Sequence, residues 1–196
     1  MTEKKAGQTE LYALFDRHGI GYTHKTHPPL HTVEESKELR GDLPGAHVKN
    51  MFLKDKKSQL WLVTCLEYRK IRIRDLEKQI GATKASFGKP DLLWEALGIR
   101  PGAVSPYGLI NDPDHSVRVV LDQQMLEIDP INAHPLHNEA TTTLPRVDFM
   151  RMRIDRVDFQ HLQCASAAQR GHNHIAACRF HAVLRDHRTR ADHRRL

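Results

Sequence analysis

Two short apolar runs, Val48–Leu53 and Leu60–Leu66, flank the polar stretch Lys54-Asp55-Lys56-Lys57-Ser58. Runs of this length around a charged separator predict two strands joined by a hairpin loop, which commits the chain to a sheet. Alternation along the first run puts Lys49 on the face of Met51 and Leu53. A lysine sharing a face with two large apolar residues either carries its ammonium out to water or lines a cavity with an anion to meet.

Helices are predicted on both sides of this pair. Gln8 to His18 is amphipathic, with Leu11, Leu14 and Phe15 at helical spacing, and Gly19-Ile20-Gly21 ends it. Tyr22 to His27 reads as extended. Thr32 with Glu35 three residues on is a capping box opening a short helix. Asp75–Ile80 and Asp91–Leu97 read as short helices, the second started by Pro90 and ended by Gly98. Ser116–Leu121 and Ala140–Leu144 are strands, and Arg146–Ile154 is a closing helix. Mixed elements without a strict β-α-β order predict an α+β fold, a mixed β-sheet packed with helices.

Composition changes abruptly near the C-terminus. Residues 165–196 have no lysine but hold seven Arg against two Asp, whereas the first 164 carry a net charge of only +1. The basicity therefore belongs to the tail, and a nucleic-acid patch on the body has to come from local clustering. The expected organisation is one domain over 1–164 and an Arg/His/Ala-rich tail over 165–196. A tail of that composition cannot offset its ordering entropy, or it comes from a shifted reading frame. The three cysteines include no C-x-x-C pair, and the most apolar stretch, Leu60–Leu66, is too short to span a bilayer. The polar N-terminus lacks a secretory h-region. A reduced, cytoplasmic protein with no membrane and no DNA partner is expected.

Common catalytic motifs give no lead: no phosphate-binding loop, dinucleotide fingerprint or serine-hydrolase elbow is present. His24, His27 and His31 have metal-like spacing, but Pro28 and Pro29 break any helix that would align them. No metal is expected. Two loops, Pro101–Pro106 and Asn132–Thr142, are rich in turn formers and hydrogen-bonding groups, and Gly102 could let backbone amides approach a ligand closely.

In order along the chain, several motifs resemble the series of the YbaK/ProX family, free-standing relatives of the editing domain in bacterial prolyl-tRNA synthetases. They are His27-Pro28-Pro29, the run from Leu43 to Asp55, Pro101–Pro106, Leu109-Ile110-Asn111-Asp112, and the run from Asn132 to Thr142. The resemblance covers residues 8 to 159. The pair Lys49-Asn50, followed by Met-Phe-Leu-Lys-Asp, resembles the branch that deacylates alanyl-tRNA(Pro). The cysteinyl-tRNA(Pro) branch usually has Lys-Thr there and a Gly-Gly-rich loop before its Ser-Pro.

That resemblance implies a hydrolase acting on an aminoacyl ester at the 3′ end of tRNA(Pro), without cofactor, with prolyl-tRNA synthetase as a possible partner. It implies that Lys49 binds the phosphate or ribose end of the terminal adenosine. Asn50 would hydrogen-bond near the scissile ester, and His134 would shape the pocket or orient a water. Backbone N–H groups of the Gly102–Pro106 loop would meet the carbonyl oxygen. His27, Thr32, Gly102, Ser105, Pro106, Asn111, Pro135, Asn138 and Thr142 complete the expected substrate contacts. Leu30, Val33 and Phe52 are candidate walls for the amino acid. The rival readings are a cysteinyl-tRNA(Pro) deacylase and a non-catalytic RNA-binding module.

Overall fold

The computed structural model describes residues 5–29 and 43–151. Thr32, Leu30, Val33, the helix expected from Thr32 and the whole 165–196 tail lie outside them. The described chain runs α1 (Gln8–Arg17), β1 (Thr23–Thr26), β2 (Ala46–Lys54), β3 (Leu60–Leu66), α2 (Ile73–Ile80), β4 (Ser86–Phe87) and α3 (Pro90–Leu97). A 3₁₀ helix over Pro106–Asn111, β5 (Val117–Leu121), a short 3₁₀ turn over Met125–Glu127, β6 (Ile131–Ala133), β7 (Ala140–Leu144) and α4 (Arg146–Arg151) follow.

The strands form one mixed sheet in the order β1-β7-β6-β2-β3-β5, with β4 also on β2. The expected hairpin is its centre: β2 and β3 pair antiparallel from Val48↔Leu66 to Lys54↔Leu60. Leu60, Leu62 and Thr64 of β3 then lie parallel to Val117, Val119 and Leu121 of β5. With both neighbours in the sheet, β3 is buried from Trp61 to Leu66, as its unbroken apolar run requires.

Helix α1 buries Leu11 and Phe15. Phe15 meets the Tyr107 ring edge-on at 5.6 Å, and Tyr107 in turn meets Phe149 of α4 at 6.5 Å. Burial of each such side chain contributes about 1.5–3 kcal/mol before entropy is subtracted. Helix α3 begins at Pro90 and ends at Gly98, whose φ of 63° is the left-handed cap expected there.

Strand β2 has different neighbours along one edge. Ala46 and His47 pair with Ile131 and Asn132 of β6, whereas Leu53 and Lys54 pair with Phe87 and Ser86 of β4. Between them, residues 48–52 have no strand partner on that edge among the described residues. The Ala46 N–H donates to Pro130 and the Phe52 carbonyl accepts from Gly88, both on this side. By alternation the backbone of Asn50 faces the same interval. The sheet is thus split beside β2, and Gly45 sets the split's inner end. Its φ is +101°, and a Cβ there would lie 2.1 Å from the Pro130 carbonyl oxygen, so only glycine fits.

Candidate active site

Lys49 and Asn50 are successive strand residues and project to opposite faces. Lys49 stands beside Cys65 on β3, and its ammonium donates to the carbonyl of Arg69. An ammonium has three donors, and among the described residues the Arg69 carbonyl takes one, leaving two for a ligand. The Arg69 turn is itself fixed. The Asp122 carboxylate, 1% exposed, pairs with the Arg69 guanidinium and accepts from the backbone of Leu66 and Gln124. Neither Arg69 nor Asp122 was expected from the sequence. Asp122 directly follows β5, and a carboxylate at a strand end beneath an apolar run was the available signal. Cys65 is fully buried, and burial pushes its thiol up to about 12, which keeps it from acting as a nucleophile.

The loop after β6 brings His134 to the Lys49 face. Ala46 and His47 match Ile131 and Asn132, and by alternation His134, two residues past Asn132, shares the face of His47 and Lys49. His134 Nδ1 lies 3.0 Å from the Ala140 carbonyl. A carbonyl only accepts, so Nδ1 carries the proton and Nε2 of the neutral ring is an acceptor. Burial, with His27 and His137 nearby, lowers the His134 pKa against the raising effect of the Ala140 bond. The ring is therefore neutral at pH 7, as a proton acceptor must be.

His27 is on the same face, its ring 6.2 Å from that of His134. Its Nδ1 donates to Pro28 at 2.9 Å, and its Nε2 is 3.0 Å from the Thr141 hydroxyl. His137 was quoted in the motif but not assigned a role. Its Nδ1 accepts from the Glu139 amide, so its buried Nε2 is a donor, and that donor has no partner among the described residues. Leu136 between these histidines has φ of 70°, an uncommon conformation for a branched residue.

On the opposite face Asn50 works as a fastener. Its Oδ1 accepts from the buried Thr64 hydroxyl at 2.7 Å, and its Nδ2 donates to the Val104 carbonyl at 2.8 Å. The 101–106 loop is thereby tied to β2 at the split. Gly102 has φ of +89°, and a Cβ there would lie 3.6 Å from the Asn138 side-chain nitrogen, so this loop and the histidine-proline loop meet. Ser105 is fully buried and caps the 3₁₀ helix by accepting from the Tyr107 amide, with Pro106 as its first residue. Pro135 is buried in the histidine-proline loop.

Other expected contacts are not brought to this place. Asn111 bonds to the backbone of Ala6 and Leu97, pinning the N-terminal segment. Thr142 is fully buried on the α1 face, its hydroxyl 2.8 Å from that of Tyr12; Thr141, on the other face, is the threonine beside the histidines. Phe52 packs its ring against Gly88 and is 3% exposed. His24 lies against the Tyr12 ring, across the sheet from His27. The stretch 132–142 is expected from its composition to be a loop up to the last strand. Its first residues instead form β6, because Asn132 bridges the Pro44 carbonyl and the Thr143 hydroxyl and so satisfies a polar residue inside a buried strand.

Residues 27–152 match the family described as the aminoacyl-tRNA editing domain. A prolyl-tRNA editing protein, ProX, of Acetoanaerobium sticklandii is 36% identical over 143 residues, 72% of this chain and 87% of that protein. Prolyl-tRNA synthetase associated domain-containing protein 1 of Danio rerio is 35% identical over 144 residues, with 72% and 78% covered. Its mouse counterpart is 40% identical over 129 residues, with 63% and 76% covered. A crystal structure described as that of a candidate trans-editing enzyme for prolyl tRNA synthetase superposes with a TM-score of 0.60 at 15% identity, covering 76% of this chain and 92% of that one. At that identity the likeness concerns the fold, and it agrees with the α+β mixed sheet. The matched region spans most of the described residues, including both loops and the β2 split, and the chain belongs to the aminoacyl-tRNA editing domain family.

Proposed function

We propose that this protein is a free-standing aminoacyl-tRNA deacylase that edits mischarged tRNA(Pro) in the cytoplasm, with alanine as the amino acid removed. The observation that supports the reading is a tethered ammonium on β2 and a neutral histidine on the loop after β6, both on one face of the sheet beside the β2 split. The spare donors of Lys49 meet the phosphate or ribose of the terminal adenosine and fix the ester. His134 Nε2 accepts a proton from water, which attacks the ester carbonyl. Backbone N–H groups of the 102–106 loop, held by Asn50, receive the developing oxyanion. The ester C–O bond then breaks, the ribose oxygen takes a proton, and free amino acid leaves. General-base assistance of this kind supplies roughly 10²–10⁴ in rate.

Alanine is the substrate that a proline pocket rejects least well, since each missing methylene discriminates by only about 1–3 kcal/mol. A second, smaller site then hydrolyses the error while excluding proline. The test is a panel of tRNA(Pro) charged with alanine, cysteine or proline, with Lys49→Ala as control. Alanine release by the wild type, lost in Lys49→Ala, is expected. Preferential cysteine release moves the chain to the other branch, and full activity in Lys49→Ala removes the mechanism.

A further inference from the structure

The near-neutral charge of the body hides a strong asymmetry. Residues 54–89 hold ten Lys and Arg against four Asp and Glu, a net of +6 that equals the charge of the entire chain. The fold gathers several of these cations at one end of the sheet. Lys54 pairs with Ser86 of β4, and the Lys56 amide donates to Thr83, which brings the β2–β3 turn against the α2–β4 connection. Arg74, Lys84 and Phe87 line an open groove of ≈ 510 Å³ over the same elements.

The elements around the groove are tied together by two carboxylates, of which Glu77 itself lines the groove. Asp55, 6% exposed, accepts from the backbone of Lys57, Gln59 and Thr83, and Glu77 accepts from the Ala85 amide. Lys54, Lys56, Arg74 and Lys84 are all exposed, and none has a carboxylate partner among the described residues. Phe87 is 64% exposed and lines the groove together with Arg74 and Lys84. An exposed aromatic ring beside cations that have no carboxylate partner among the described residues is the chemistry that binds a single nucleic-acid strand, with bases stacked on the ring and phosphates on the cations. A surface for an acidic peptide would have no use for the ring.

We propose that this β4 face is an RNA-binding surface, separate from the reacting site, that holds the strand leading to the esterified 3′ end. Phe87 pairs with Leu53, which shares the face of Lys49 four residues further along β2, about 13 Å at 3.3 Å per residue, or roughly four stacked nucleotides at 3.4 Å each. The assignment rests on the proposed editing function for the identity of the RNA, and it tests apart from it.

The probe is an uncharged, fluorescein-labelled RNA hairpin that copies a tRNA acceptor stem with its single-stranded 3′ end. Its binding is followed by anisotropy between 50 and 200 mM KCl. The triple variant Lys54→Gln, Arg74→Gln, Lys84→Gln is expected to lower the log–log salt slope by about 2–3, since each lost phosphate contact removes about 0.7–0.9. Phe87→Ala is expected to weaken binding about tenfold with the slope kept, and Arg74→Lys to bind like the wild type. In deacylation the triple variant raises KM and leaves kcat unchanged. An unchanged Kd and slope in a triple variant that melts like the wild type overturns the proposal. So does a wild type that binds a polyaspartate peptide but not the hairpin. If no charged tRNA is deacylated while the hairpin results hold, the surface stands and the editing reading falls.

Discussion

Asn50 offers the sharpest test of how the site is built, because its two side-chain bonds assign it to holding rather than reacting. In Asn50→Ala the Thr64 hydroxyl, fully buried, loses its acceptor, and the Val104 carbonyl loses its donor. An unsatisfied buried polar group costs about 1–3 kcal/mol, and a half-buried one sits nearer the net value of a single hydrogen bond, about 0.5–1.5 kcal/mol. The expected loss of unfolding free energy is therefore about 2–4 kcal/mol. Thr64→Val alone leaves Asn50 Oδ1 without its donor and costs about 1 kcal/mol. The double variant removes both ends of that bond, so its loss falls short of the two single losses combined by about 1–2 kcal/mol. Urea unfolding of the four proteins measures this coupling, and kcat/KM in the same set reports the loop. A coupling below about 0.5 kcal/mol, within the range of independent sites, would refute the fastening role. A deacylation defect in Asn50→Ala without any loss of stability would return Asn50 to direct substrate contact.

Three further outcomes follow from the same geometry. Asp122→Asn breaks a largely buried ion pair, so it is expected to cost about 3 kcal/mol in urea unfolding and to lower kcat/KM, because the carbonyl holding Lys49 is released with the Arg69 turn. The His134 pKa is lowered in the native state from the ordinary 6.5, chiefly by burial. The unfolded chain therefore takes up that proton first as pH falls. Its contribution is complete above pH 6.5 and is lost as pH drops from there through the native value; His134→Gln should flatten this part of a stability profile between pH 5 and 8. Gly45→Ala should cost about 3 kcal/mol in thermal or urea unfolding, since a left-handed φ and a backbone oxygen both oppose the added methyl.

Sequence alone conveyed most of the frame and the outline of the site. The β2–β3 pair, α1, α3 with its proline start and glycine cap, and the last strand all followed from periodicity and punctuation that act over a few residues. What escaped was long-range. β6 is a strand only because β2 and β7 receive it on either side and its asparagine finds partners in both directions. β4 is two residues long and is defined by pairing with β2 rather than by its own composition. At the site, Lys49, Asn50 and His134 stood out by motif, but the division of Lys49 and Asn50 between two faces required the sheet. Asn111 and Thr142 look like ligand contacts in a string of polar letters; in space one pins the N-terminal segment and the other meets a tyrosine on α1. Asp122 and Arg69, 53 positions apart, had no local signal that tied them to Lys49.

The split beside β2 has a mechanical side. A strand edge gripped at both ends by different neighbours, yet without a partner along its middle among the described residues, can bow there without peeling away, as a plank nailed at its tips can. The amide hydrogen of Asn50 should then trade with solvent faster than the flanking amides of β2. An occupant that bridged the opening would slow that exchange, turning the centre of the sheet into its own reporter of occupancy.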